Sequence, residues 1–107
     1  MKKLTHEEYL AFILLYAAYA DLELKREEVK EILECIDKDI FIEIRKYFLS
    51  MNDANRLQVI QWQKGEYLDT EQKRNEALKE IRHVFLSDQN FPAVEQFYFN
   101  LLKRELS

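Results

Sequence analysis

The sequence predicts an all-α protein, a compact bundle of about six helices around a buried N-terminal helix. Three observations predict it. Glycine occurs once, at Gly65, and proline once, at Pro92, in 107 residues. Glycine supplies the positive-φ positions of tight hairpins and bulges, so a multi-stranded antiparallel fold has too few turn residues here. The run from Leu10 to Ala20 is apolar on every face, the mark of a helix surrounded by others. Most of the remaining chain repeats apolar residues three and four apart, the spacing of an amphipathic helix.

The elements follow in order. Thr5-His6-Glu7-Glu8 is a capping box: Thr5 accepts from the amide three residues on, and Glu8 reaches back. It opens a first helix over about 6–20. After the acidic stretch Asp21-Leu22-Glu23-Leu24, a second helix runs to about Ile36, its stripe made by Val29, Ile32, Leu33 and Ile36. A third, about 39–50, carries Ile40, Ile44, Tyr47, Phe48 and Met51. Asn52-Asp53 caps a fourth with Leu57, Ile60 and Trp62, ending near Gly65. Asp69-Thr70 caps a fifth, about 71–87, with Leu78, Ile81, Val84 and Phe85 on one face. Pro92 then sits at a first helical position, opening a last helix over about 92–106 with Val94, Phe97, Tyr98, Leu101 and Leu102. No linker interrupts the pattern, so residues 1–107 read as a single domain, long enough to bury roughly 65% of its unfolded surface.

Composition removes whole classes of function. A P-loop, a dinucleotide fingerprint, a Gly-x-Ser-x-Gly elbow and a kinase Gly-rich loop each need at least two glycines. The net charge is −4, and the basic residues are dispersed as pairs such as Lys25-Arg26 and Lys73-Arg74, each with acids close by. Phosphate neutralisation needs a clustered basic face, so no nucleic-acid partner is expected. Leu10 to Ala20 is too short to span a bilayer, so no membrane insertion is expected. Acids directly after Met1-Lys2-Lys3-Leu4-Thr5-His6 argue against a signal peptide. The lone Cys35 forms neither an internal disulfide nor a Cys-rich zinc site and reads as a small apolar residue in a reducing compartment. A cytoplasmic location is the expectation.

Catalytic groups are missing from the pattern. His6 and His83 are far apart, belong to no metalloprotease motif and read as partly exposed surface residues. Ser50, Ser87 and Ser107 have no histidine partner in view, so nucleophilic catalysis has no support. Catalytic residues: none; the chain reads as non-enzymatic. The rings Tyr9, Phe12, Tyr16 and Tyr19, with Phe91, Phe97, Tyr98 and Phe99, read mainly as core. The first and last helices nevertheless carry more rings than one stripe buries, which is compatible with a homodimer.

The two halves echo each other. Ala20-Asp21-Leu22-Glu23-Leu24 is followed by Glu28, and Ser87-Asp88-Gln89-Asn90-Phe91 by Glu95. In each, an Asp ends an apolar helix, an oxygen-bearing residue stands two later and a Glu seven later. Beyond Glu95 the register is lost, leaving a pseudo-repeated helix–loop–helix.

On Leu15-Tyr16-Ala17-Ala18-Tyr19-Ala20-Asp21-Leu22-Glu23-Leu24, on Glu27-Glu28 and on Ser87-Asp88, the sequence resembles the tellurite-resistance TerB-like family. The likeness extends in outline over nearly the whole chain, with specific motifs in about a quarter of it. Leu22 and Gln89 stand where the family favours glycine, and Lys25 where a capping Asp or Ser is usual. The resemblance implies a compact all-helical bacterial domain linked to stress responses, with two acidic loops that bind metal. On that reading Asp21, Glu23 and Glu28, with Asp88, Asn90 and Glu95, are the ligands of a divalent cation such as calcium, which takes six to eight oxygens.

A simpler reading of the same residues stands beside it. Asp21 and Asp88 satisfy exposed amides, Glu27 and Glu28 favour the positive end of the second helix, and Lys25-Arg26 balance them. The function then expected is a metal-free protein–protein interaction module, adaptor or immunity-like, whose acidic surface meets a basic partner.

Overall fold

Helix caps and apolar stripes divide the chain much as its sequence suggests. The computed structural model describes residues 2–19, 26–86, 100–101 and 103–104. Among these the protein is all-α, with six helices: α1 (His6–Ala18), α2 (Arg26–Cys35), α3 (Lys38–Leu49), α4 (Asp53–Trp62), α5 (Lys64–Tyr67) and α6 (Glu71–Leu86). Of the expected last helix, Asn100, Leu101, Lys103 and Arg104 are described and are helical. Its remaining residues lie outside the described ones.

α1 is the central rod. Its capping box is complete: Thr5 Oγ1 accepts from the Glu8 amide at 3.2 Å, and Glu8 Oε1 from the Thr5 amide at 2.8 Å. Every residue from Ala11 to Ala18 is buried, because α3, α4, α6 and α2 pack around it. Each fully buried Leu, Ile or Phe of that run contributes about 1.5–3 kcal/mol relative to exposure. Of the rings expected in surplus, Tyr9, Phe12 and Tyr16 are buried and Tyr19 is half-buried, while Phe91, Phe97, Tyr98 and Phe99 lie outside the described residues.

α3 closes one side of the rod with Phe41, Ile44 and Phe48. Asp37 caps it, accepting from the Asp39 amide at 2.9 Å, and the Asp37 amide donates to Glu7 Oε1 at 3.2 Å. α4 is capped by Asn52 as expected, with the Asn55 amide donating at 2.9 Å. It buries Val59 and Ile60, and Tyr9 donates to the Ile60 carbonyl at 2.6 Å.

Two stripe residues fall outside their expected place. Leu33 is 38% exposed and Trp62 53% exposed. At 3.6 residues per turn, Leu33 lies about 100° from the direction shared by Glu28, Ile32 and Ile36. That shared direction is the buried face of α2. Trp62 is turned a similar amount from Val59 and Ile60. Counting apolar letters placed both inward; the centre of the buried arc places them outward.

The unexpected element is α5, a single turn containing Gly65. A β-carbon on Gly65 would meet nothing within 4 Å, so the residue marks no close approach. What holds this corner is Gln63, 2% exposed, between α4 and α5. Its Oε1 accepts from the Leu4 amide and its Nε2 donates to the Leu4 carbonyl, both at 2.9 Å. Tyr67 donates to the same carbonyl at 2.7 Å. The N-terminal segment is thereby tied across the mouth of α1 by side chains 59 and 63 positions away.

Candidate functional site

α6 lies along α1, capped by Thr70 Oγ1, which accepts from the Lys73 amide at 3.1 Å. It buries Ala77, Ile81 and Val84. Over its first half the inward positions are a poor match for a dry interface: Lys73, Glu76, Ala77 and Glu80 recur at i, i+3, i+4, i+7. A small side chain flanked by charged ones cannot fill the space beside a greasy rod. The result is an open cleft of about 520 Å³, within the size range of ligand sites.

Its floor comes from α1, again at i, i+3, i+4, i+7: His6, Tyr9, Leu10 and Ile13. Tyr67 and Leu68 close one end, and Cys35, the last residue of α2, lines it as well. The rings form a cluster, with His6 and Tyr9 centroids 5.3 and 5.4 Å from that of Tyr67. Both tyrosine hydroxyls already donate to backbone carbonyls, Tyr9 to Ile60 and Tyr67 to Leu4. The floor therefore offers carbon rather than hydrogen bonds. Burial holds the Tyr9 phenol well above its ordinary pKa, so it stays protonated.

The wall is acidic. Cys35 Sγ donates to Glu80 Oε2 at 2.9 Å. Burial of the sulfur against its surroundings, then the Glu80 hydrogen bond and charge, then Glu31 and Glu34, push this thiol up to about 12, although the residue as a whole remains exposed. A thiol held protonated is a poor nucleophile and a poor metal ligand. Lys73 is engaged by Asp69 at 3.0 Å, and its ammonium holds the Asp69 carboxyl below the usual range. Glu76 accepts from Gln72 Nε2 at 3.4 Å.

Of the six residues proposed from sequence as metal ligands, only Glu28 is described. It is fully buried, in the first turn of α2. Asp21, Glu23, Asp88, Asn90 and Glu95 lie outside the described residues. Among the described residues no three His, Cys, Asp or Glu side chains come together in a way that could hold a metal ion. His83 is exposed, as expected. His6 is exposed too, but it stacks on Tyr67 and lines the cleft. Cys35, read from sequence as a small apolar residue, is instead exposed and bonded to a carboxylate.

The cleft was missed because its signal looks like an ordinary solvated helix face. The i, i+3, i+4, i+7 arrangement of Lys73, Glu76, Ala77 and Glu80 was legible, but nothing in it said that this face turns toward α1. No helix among the described residues is long and apolar enough to cross a membrane. No family model, no curated protein and no solved structure matches this chain.

Proposed function

We propose that the chain is a non-enzymatic, cytoplasmic TerB-like module that works by holding a protein partner in the α1–α6 cleft. The observation that supports this reading is the state of the groups lining the cleft. A reactive site needs a nucleophile or a proton carrier with a titration range near neutrality. Here burial and then Glu80 hold the thiol protonated, the tyrosine hydroxyls are given to carbonyls, Lys73 is bound to Asp69, and the His6 ring packs against that of Tyr67. Carbon surface beside carboxylates suits recognition better than chemistry. A photo-crosslinking residue at position 10 tests it in cells. A protein trapped there, then purified, should bind the wild-type chain and bind Ala77→Met at least tenfold more weakly. Crosslinks no more frequent than from an exposed position such as 42 would sink the reading.

A second reading keeps the divalent cation, with Asp21, Glu23, Glu28, Asp88, Asn90 and Glu95 as its ligands. The buried carboxylate of Glu28 favours it, since a carboxylate removed from water gains from a cation beside it. It predicts that calcium raises the melting temperature and that Asp21→Asn with Asp88→Asn abolishes the rise. A melt unchanged in saturating calcium, magnesium, manganese and zinc leaves the metal-free module.

A further inference from the structure

The cleft has a length, a surface and a charge, and together these select one kind of occupant. Its two long walls are stripes at i, i+3, i+4, i+7 on α1 and on α6, so each runs seven rises from first to last residue, about 10 Å at 1.5 Å per residue. Two such ridges side by side form the groove into which a third helix packs, and the anchors of a groove-bound helix recur at the same spacing. No strand is present among the described residues to offer an edge to an extended peptide.

The surface restricts the occupant further. Leu10, Ile13, Leu68, Ala77 and the ring carbons of Tyr9 and Tyr67 make up the apolar part of the lining, of which Leu10 and Tyr67 reach solvent most. With both hydroxyl protons spent on Ile60 and Leu4, these rings have no O–H donor left to repay a polar side chain for the water it would lose. An apolar side chain loses nothing there.

The charge decides the flanks. Glu76 and Glu80 line the cleft from α6, and Glu31 and Glu34 of α2 act on Cys35 beside it. The one lysine of the lining, Lys73, is already paired with Asp69 at 3.0 Å, and the His6 ring lies tilted against that of Tyr67. The carboxylates therefore set the sign along this wall. Like charges brought against them would repel, and Lys or Arg would be attracted.

We infer that the α1–α6 cleft receives a basic amphipathic helix of a partner protein, two to three turns long, with its apolar stripe on the half-buried Leu10 and Tyr67 and its Lys or Arg residues toward Glu76 and Glu80. The inference rests on the reading of this cleft as the partner site and adds the chemistry of what enters it.

Three labelled peptides of about three turns test it against the full chain by fluorescence anisotropy, with amide shifts mapping where each one sits. The first has Leu at i, i+3, i+4, i+7 and Lys or Arg on the flanks. The second exchanges those cations for Glu. The third scrambles the first, keeping its charge and destroying its stripe. The basic amphipathic peptide should bind at the cleft at least tenfold more tightly than either control. Its affinity should fall at least tenfold in Glu76→Lys with Glu80→Lys, and by a smaller factor in the milder Glu76→Gln with Glu80→Gln. Raising salt should weaken it further. Equal binding of the scrambled or the acidic peptide, shifts that map elsewhere, or indifference to the Glu substitutions would each overturn the inference. So would an absence of binding by all three. The crosslink at position 10 is read independently, so a partner trapped there while these peptides fail would leave the module standing and remove only its basic helix.

Discussion

Of the four helices around α1, α3 and α6 treat it differently. On the α3 side the contact is dry and aromatic. Phe12 and Phe48 meet edge to face with centroids 5.3 Å apart, Tyr19 lies 5.3 Å from Phe48, and the Arg56 guanidinium covers the Phe48 ring at 3.9 Å. On the α6 side the same rod faces Ala77 between charged residues, and a cleft remains. The rod is equally apolar in both directions, so the difference belongs to the neighbours. An apolar helix needs covering; how tightly its own chain covers it depends on the volume that the facing positions supply.

The largest effect expected is on the closed side. Phe48→Ala removes a fully buried ring with its two aromatic partners and its cation–π lid, and should cost about 3–5 kcal/mol in urea unfolding. Leu10→Ala, on a half-buried residue lining the cleft, should cost only about 1 kcal/mol, because the atoms removed border open space. Equal losses at the two positions would break the comparison, since they would mean that Leu10 is packed as tightly as Phe48.

The corner where the two regions meet gives the next effect. Gln63 satisfies both backbone groups of Leu4, and Tyr67 shares the carbonyl while closing the cleft. Gln63→Ala leaves the buried Leu4 amide without its acceptor, which costs about 1–3 kcal/mol. Hydrogen exchange at the Leu4 amide should rise well beyond what the global loss of stability explains. An unchanged exchange rate would mean that the N-terminal segment is held by something other than this side chain.

The closed side was readable in advance, and the open side was not. An apolar run without a polar face has one solution in water, and the Thr5 and Asn52 caps have local signatures. Phe48 and Ile44 therefore went to the core on spacing alone. Leu33 and Trp62 defeated the same method because spacing finds a stripe without fixing its direction to within a quarter turn. α5 was hidden because one helical turn has too few residues to show a period. Gln63 was hidden because a buried amide is justified only by its partner, and Leu4 is remote in sequence. The cleft was hidden for a related reason: it is a property of two stripes in register, and each stripe alone looks solvated or core. The resemblance to TerB-like proteins pointed to the two acidic loops, and of those residues only Glu28 falls among the described ones.

The smallest effect on stability should come from Cys35, and it sharpens the contrast through chemistry instead. The residue is exposed, so Cys35→Ala should change stability by less than about 0.5 kcal/mol. Its thiol is pushed from an ordinary 9.0 up to about 12. Below about pH 9 both folded and unfolded chains keep the proton, and stability is at its full value. As pH rises from there toward 12 the unfolded chain ionises first, so any pH dependence from this group is a loss on the alkaline side only. The thiolate is the alkylated form, and a shift of this size lowers its fraction by roughly a thousandfold at fixed pH. Partial exposure moderates that figure, so iodoacetamide at pH 8 should modify the folded chain at least tenfold more slowly than the chain in urea. Glu80→Gln, which removes the facing charge but leaves an acceptor, should close part of that gap. If Cys35 instead reacts at the unfolded rate, the Glu80 contact is not made in solution, and the acidic wall of the cleft is more open than its geometry here requires.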